Sequence, residues 1–162
     1  MNRKQFLSTV VGWIAVNLNG QTAEFPEDGN AFSLSLSLTL TALGEHVVRP
    51  IITNVSSKVL KLSAARPEPA YFHFALTRID FSKNIPVDMT RSWIPRQEPR
   101  MAIGRNIRIL APGEALHGGA FNVEEMFLVP GFGDYALTCS ADVVIARNEL
   151  VLINSAPLRL KV

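Results

Sequence analysis

The longest regular feature of the chain is Phe32-Ser33-Leu34-Ser35-Leu36-Ser37-Leu38-Thr39-Leu40-Thr41, in which apolar residues alternate strictly with hydroxyl side chains. Neighbouring side chains on a strand point to opposite faces. This period of two therefore predicts one long strand with an apolar face on a core and a hydroxyl face toward water. At helical spacing the same leucines would scatter around the axis, and interior serines would compete for the backbone hydrogen bonds.

Shorter strand signals follow at close spacing. Val47 to Thr53 leads into the turn-forming cluster Asn54-Val55-Ser56-Ser57, and Lys58 to Leu62 continues beyond it. Arg66-Pro67-Glu68-Pro69 interrupts, since two prolines so close together do not fit a central strand. Tyr71 to Ile79 resumes with Phe72, Phe74 and Leu76 on one face and His73 on the other. Ile107 and Ile109 open another strand with Arg108 pointing outward between them, ended by the turn Ala111-Pro112-Gly113-Glu114. Tyr135, Leu137 and Cys139 share a face, Val143–Ala146 and Leu150–Ile153 flank the polar turn at 147–149, and Leu158, Leu160 and Val162 alternate at the end. Only residues 121–127 suit a helical turn, with Asn122 as cap and Glu124 and Glu125 in its first turn. The expectation is an all-β fold: a two-sheet antiparallel sandwich of seven to nine strands with Greek-key connections and at most one short helix.

Several motifs resemble those of bacterial immunoglobulin-like modules. Residues 51–62 are similar to their strand–Asn-x-Ser–strand hairpin and residues 109–116 to their Leu-x-Pro-Gly-Glu turn. Residues 129–137 resemble the Pro-Gly-x-Tyr lead into the penultimate strand, and 155–162 the closing strand. The order of these motifs also resembles the intracellular proteinase inhibitor family of the same fold class. The resemblance covers most of residues 31–162. Because its motifs mark turns and strand edges, it implies an immunoglobulin-like sandwich and says little of function.

The first residues read differently. Arg3 and Lys4 precede Phe6–Leu18, a run of 13 residues without charge, and a small polar stretch ends at Ala23 before Glu24. This is the order of a secretory signal peptide, and the run is too short for a bilayer core that takes about 20 residues. Asn2-Arg3-Lys4-Gln5-Phe6-Leu7-Ser8 also resembles a twin-arginine export signal, with Arg3, Phe6 and Leu7 matching and Lys4 in place of the second arginine. Both export routes therefore stay open. Cleavage after Ala23 would leave Gln21 at the −3 position, where a small residue is usual; the competing reading makes this stretch a first strand.

The expected organisation is a signal peptide at 1–23 and an immunoglobulin-like domain at 24–162, with a periplasmic or extracellular location. A leader that does not function would leave the protein cytoplasmic, and one that is not cleaved would be its sole membrane contact. Removal of residues 1–23 from the 162 leaves 139, enough for one domain with a core. The 16 Lys and Arg face 14 Asp and Glu; without Arg3 and Lys4 the balance is 14 against 14. The pI near 8.9 thus reflects the leader in part and is no argument for nucleic acid.

The chemistry-bearing residues do not assemble into a known pattern. The lone Cys139 excludes an internal disulfide and reads as a small buried hydrophobe. His46, His73 and His117 stand in three separate segments, and Cys139 has no nearby His and Met, so neither metal nor other cofactor is expected. No Gly-x-Ser-x-Gly occurs, and Gly131 and Gly133 precede a strand, not the helix that a phosphate cradle needs. Glu124 and Glu125 are adjacent on a helix and do not face each other. The sequon Asn54-Val55-Ser56 fits a turn.

One stretch could carry function: residues 88–109, with Arg91, Arg96, Arg100, Arg105 and Arg108 beside Trp93, Pro95 and Pro99. Arginine and tryptophan combine large contact area with directed polar groups, so Trp93, Arg91, Arg96 and Arg100 are the candidate partner-binding residues. The alternative is a solvated crossover between strands. A non-enzymatic, exported module binding another protein or a cell-envelope component is the leading expectation. A proteinase inhibitor, its loop stiffened by Pro95 and Pro99, and a carbohydrate-binding module are the alternatives.

Overall fold

The computed structural model describes residues 22–63, 72–81, 83–91, 93, 107–146 and 149–162. The leader (but for Thr22 and Ala23), the Arg66–Pro69 interruption and the candidate residues Arg96 and Arg100 lie outside the described residues. Strands dominate: β1 (Phe32–Leu40), β2 (His46–Asn54), β3 (Leu60–Ser63), β4 (His73–Ile79), β5 (Asn84–Val87), β6 (Ile107–Leu110), β7 (Ala115–His117), β8 (Phe121–Asn122), β9 (Asp134–Val144), β10 (Leu150–Asn154) and β11 (Leu158–Lys161). A 3-10 turn at Gly29–Ala31 and a four-residue helical turn, α1 (Val123–Met126), complete the set. Asn122 caps α1 as expected, its side chain accepting from the Glu124 N–H.

All pairings between named strands are antiparallel. β2 lies between β1 on one edge and β7 and β8 on the other, making the first sheet. β9 lies between β4 and the successive strands β10 and β11, and β5 extends the second sheet beyond β4. β3 and β6 pair as a separate ribbon. Inward residues of both sheets and the ribbon meet in one apolar core, including Leu34, Val48 and Ile52, then Phe74, Leu76, Leu137 and Leu160, then Leu62 and Leu110. The fold is an all-β antiparallel sandwich. Its eleven segments reduce to nine strands when β7 with β8, and β10 with β11, are taken as single interrupted strands.

The β7–β8 break has a local cause. Pro50 sits inside β2 and has no N–H to donate, yet its carbonyl accepts from Gly118 N at 2.8 Å. N–H and C=O of one strand residue point to the same side, so the missing donor faces the interruption between β7 and β8, where the ladder is already broken. Gly118 has to be a glycine, since a Cβ there would lie 2.6 Å from Pro50 Cγ.

Three expectations are corrected. Residues 47–62 do not form a hairpin: β2 pairs with β1, β7 and β8, while β3 pairs with β6, so the Asn54 turn carries the chain out of the sheet. Asn54 is fully buried in that turn. Its amide donates to Lys58 O (2.8 Å) and Leu110 O (2.9 Å), and its Oδ1 accepts from Ser56 N and Oγ. Every hydrogen-bonding site is used, which offsets its desolvation and leaves no access for a glycan. In β6, Ile107 and Ile109 are exposed together with Arg108, and only Leu110 turns inward, because a two-stranded ribbon has core on one side alone. Residues 134–144 run as one strand, where two separate segments were expected.

Candidate functional site

Three turns and the chain end gather at one end of the sandwich. Asp134, the first residue of β9, is opposite Ile79 at the end of β4 and Lys161 at the end of β11. The Lys161 carbonyl in turn meets the ring of His46, which pairs with Leu40 at the base of the β1–β2 hairpin. The hairpin tip, the β4–β5 turn and the loop before β9 therefore share one surface.

Each turn is held by its own chemistry. In the hairpin, Thr41 N donates to Glu45 O and Thr41 Oγ1 accepts from the N–H groups of Leu43 and Glu45, while Gly44 takes φ +80°. In the β4–β5 turn, Asp80 N donates to Lys83 O, and Asp80 Oδ1 accepts from Phe81 N at 2.7 Å. Before β9, Tyr135 Oη donates to Gly131 O at 2.6 Å, Arg78 Nη2 donates to Phe132 O at 3.2 Å, and Gly133 exchanges both backbone bonds with Val162. Gly131 adopts φ +132°, open only to glycine without strain.

These braced turns point large apolar side chains at water. Phe81 is fully exposed, Phe132 is 91% exposed and Leu43 87% exposed, with Leu40 and Leu128 also well exposed. Singly exposed apolar residues are ordinary, but so many at one end are not. Acidic and basic groups alternate around them: Glu45, Asp80 and Asp134 against Arg78, Lys83 and Lys161.

Behind this surface lies a buried clamp. His46 is buried, and Glu124 accepts from its backbone N–H (3.2 Å) while Glu124 Oε1 lies 2.5 Å from its Nδ1. The Lys161 carbonyl can only accept, so the bond at 3.1 Å is donated by Nε2 of the ring. This links β2, α1 and β11. Glu124 thus does more than favour a helix start.

The sequence candidates are placed as follows. Trp93 is half-buried, its ring centroid 6.4 Å from that of Phe121 and packed on the core, so much of its area serves the fold. The Trp93 backbone N–H donates to Thr90 O, and Thr90 is strapped to α1 through Met126 O and Glu125 O. Arg91 is exposed beside it. Residues 88–90 lie beside α1 and the segment after it, through the Met89–Phe127 bridge and the bond from Leu128 N to Asp88 O. Cys139 is buried in the core, where desolvation pushes its thiol up to about 12, leaving it protonated and inert. His73 faces solvent, 3.4 Å from Asp142. Among the described residues no group of His, Cys, Asp and Glu could hold a metal ion, and no helix is long and apolar enough to cross a membrane.

Sequence reasoning missed Phe81 and Phe132. A signal was present: each is an isolated aromatic among turn formers, Asp80 and Asn84 around one and Gly131 and Gly133 around the other, with no alternation to bury it. No protein-family model matches the chain, and no curated protein is significantly similar to it.

Proposed function

We propose that this protein is a non-enzymatic, exported binding module of immunoglobulin-like fold that engages another protein or an envelope component through the end bearing Phe81 and Phe132. The observation that carries this reading is the display of both phenylalanines on turns that the protein itself braces. An ordered loop loses little conformational freedom on binding, and aromatic anchors supply most of the contact energy in such surfaces. The alternating charges around them suit a polar rim. Arg91, with Arg96 and Arg100 further along the chain, belongs to a second part of the proposed surface, anchored by Trp93.

One feature supports the fold family. Tyr135 donates back to Gly131 just before the penultimate strand, as the tyrosine corner of immunoglobulin-like sandwiches does.

The test is to recover tagged protein from its native envelope fraction, read its N-terminus and identify what crosslinks to it. The wild type should begin near Glu24 with one stoichiometric partner, which the Phe81→Ser/Phe132→Ser variant loses. Retention of that partner by the variant would refute the surface, and an intact Met1 in the cytoplasm would refute export. A second reading, a proteinase inhibitor, is favoured by the bracing of Phe132 alone. It requires inhibition of an aromatic-selective serine protease that Phe132→Ser abolishes.

A further inference from the structure

The two larger sheets end in four edges, and three of these carry a feature that blocks further pairing. β5 is four residues long and contains Pro86, the β7–β8 edge is broken at Gly118, and the β10–β11 edge is broken around Ser155 and Pro157. β1 has none of these. It is a nine-residue strand without proline, charge or interruption, and the uncharged stretch continues to Gly44. Folded proteins generally protect such edges, so an unprotected one has to be explained.

The direction of its hydrogen bonds follows from the register. Thr41 N bonds Glu45 O and Val55 N bonds Ala31 O, both in line with the pairing of Leu40 with His46. Odd-numbered residues of β1 therefore bond to β2, and even-numbered ones direct N–H and C=O away from it. Leu34 does so toward Ser155, its bridge partner. Beyond that bridge, Leu36, Leu38 and Leu40 present their backbone groups to an edge on which no strand pairs among the described residues. Their side chains leave the core in step: Leu34 is buried, Leu36 and Leu38 half-buried, and Leu40 is 60% exposed.

The open stretch from Ser35 to Thr41 is symmetric about Leu38. Ser37 and Thr39, Leu36 and Leu40, and Ser35 and Thr41 stand at equal distances on either side. An antiparallel neighbour is read in reverse order, so a second copy of this strand meets it with like chemistry at every position. A two-fold contact needs this self-complementarity, and the stretch carries no charge that would select a different chain or repel its own copy.

We infer that β1 is a self-association edge, joining two copies antiparallel with Leu38 opposite the partner's Leu38 and Leu36 opposite the partner's Leu40. The outward backbone groups pair across the two-fold axis, the first sheet becomes continuous through both copies, and the two leucine rows cover each other. The edge reaches the Phe81–Phe132 end only at Leu40, and self-association does not depend on the function proposed for that end.

The test uses the full chain in sedimentation velocity over a range of micromolar concentrations, with hydrogen exchange at the Leu36, Leu38 and Leu40 amides. The expected result is a dimer whose formation slows exchange at those three amides as concentration rises. Leu40→Lys places a charge in the covered row and should weaken association about tenfold or more, with an unchanged circular dichroism spectrum. Leu38→Pro deletes an edge-directed N–H and leaves the β1–β2 bonds, which odd residues make, intact; it should act alike. A wild type that stays monomeric, or a dimer that Leu40→Lys leaves as tight, overturns the inference. So does protection of the three amides at all concentrations, which would mean that another segment of the same chain covers the edge. Should Leu38→Pro not fold, Leu40→Lys and the wild-type exchange data decide.

Discussion

Two turns of this protein reverse the usual partition of side chains, in opposite senses. At the end of β2 a polar residue, Asn54, is fully buried; before β9 an aromatic, Phe132, is 91% exposed. The first reversal is compensated inside the molecule, since both atoms of the Asn54 amide are hydrogen-bonded and the bonds join the turn to β6. The second is not. The Phe132 backbone is braced by Arg78 and its neighbours, but the ring is left 91% exposed. An unusual placement that the interior compensates is architecture; one that it leaves uncompensated is the observation on which the proposed binding surface rests.

That contrast can be broken in several ways. The largest effect is expected from Asn54→Ala, which strips partners from Leu110 O and Lys58 O and should cost about 3 kcal/mol in urea unfolding. A loss near zero would remove Asn54 from the architecture. Cys139 tests the interior at high pH. Its pKa in the folded protein is raised above that of the unfolded chain, so the stability it contributes is complete below about 9 and is lost as pH rises toward about 12. Cys139→Val should flatten that alkaline decline, and native protein should resist thiol reagents at neutral pH.

Trp93→Ala should come next, costing about 2 kcal/mol because the half-buried ring packs on Phe121. A stable variant that lost only binding would return Trp93 to the outer surface. Tyr135→Phe removes the bond to Gly131 O and should cost about 1 kcal/mol, with faster amide exchange around Phe132. The smallest effect on stability, within about 0.5 kcal/mol, is expected for Phe132→Ser, whose consequence should appear in binding alone. A marked destabilisation there would mean that the ring has an intramolecular role, and the contrast would fail.

Much of the fold was legible because strand alternation is a local property. The buried face of β1, the Phe72–Phe74–Leu76 row, the Tyr135–Leu137–Cys139 row and the Asn122 cap all follow from the spacing of residues within one segment. The candidate site was less legible. Trp93 stood out by composition, yet its ring is spent largely on the core, whereas Phe81 and Phe132 passed as turn residues. Composition records which side chains could bind; exposure depends on what the rest of the chain leaves uncovered.

The sequence by itself determined that this chain forms strands, which face of most of them is apolar, and where they turn, since a period of two and the turn preferences of Gly, Pro and Asn act over a few residues. Only the tertiary structure decided that the chain leaves the first sheet at Asn54, that His46, Glu124 and Lys161 meet from remote positions, and that three turns share one end. Those outcomes depend on which strand pairs with which, and pairing is settled by the joint burial of all the apolar faces in one core, a quantity that no single segment contains.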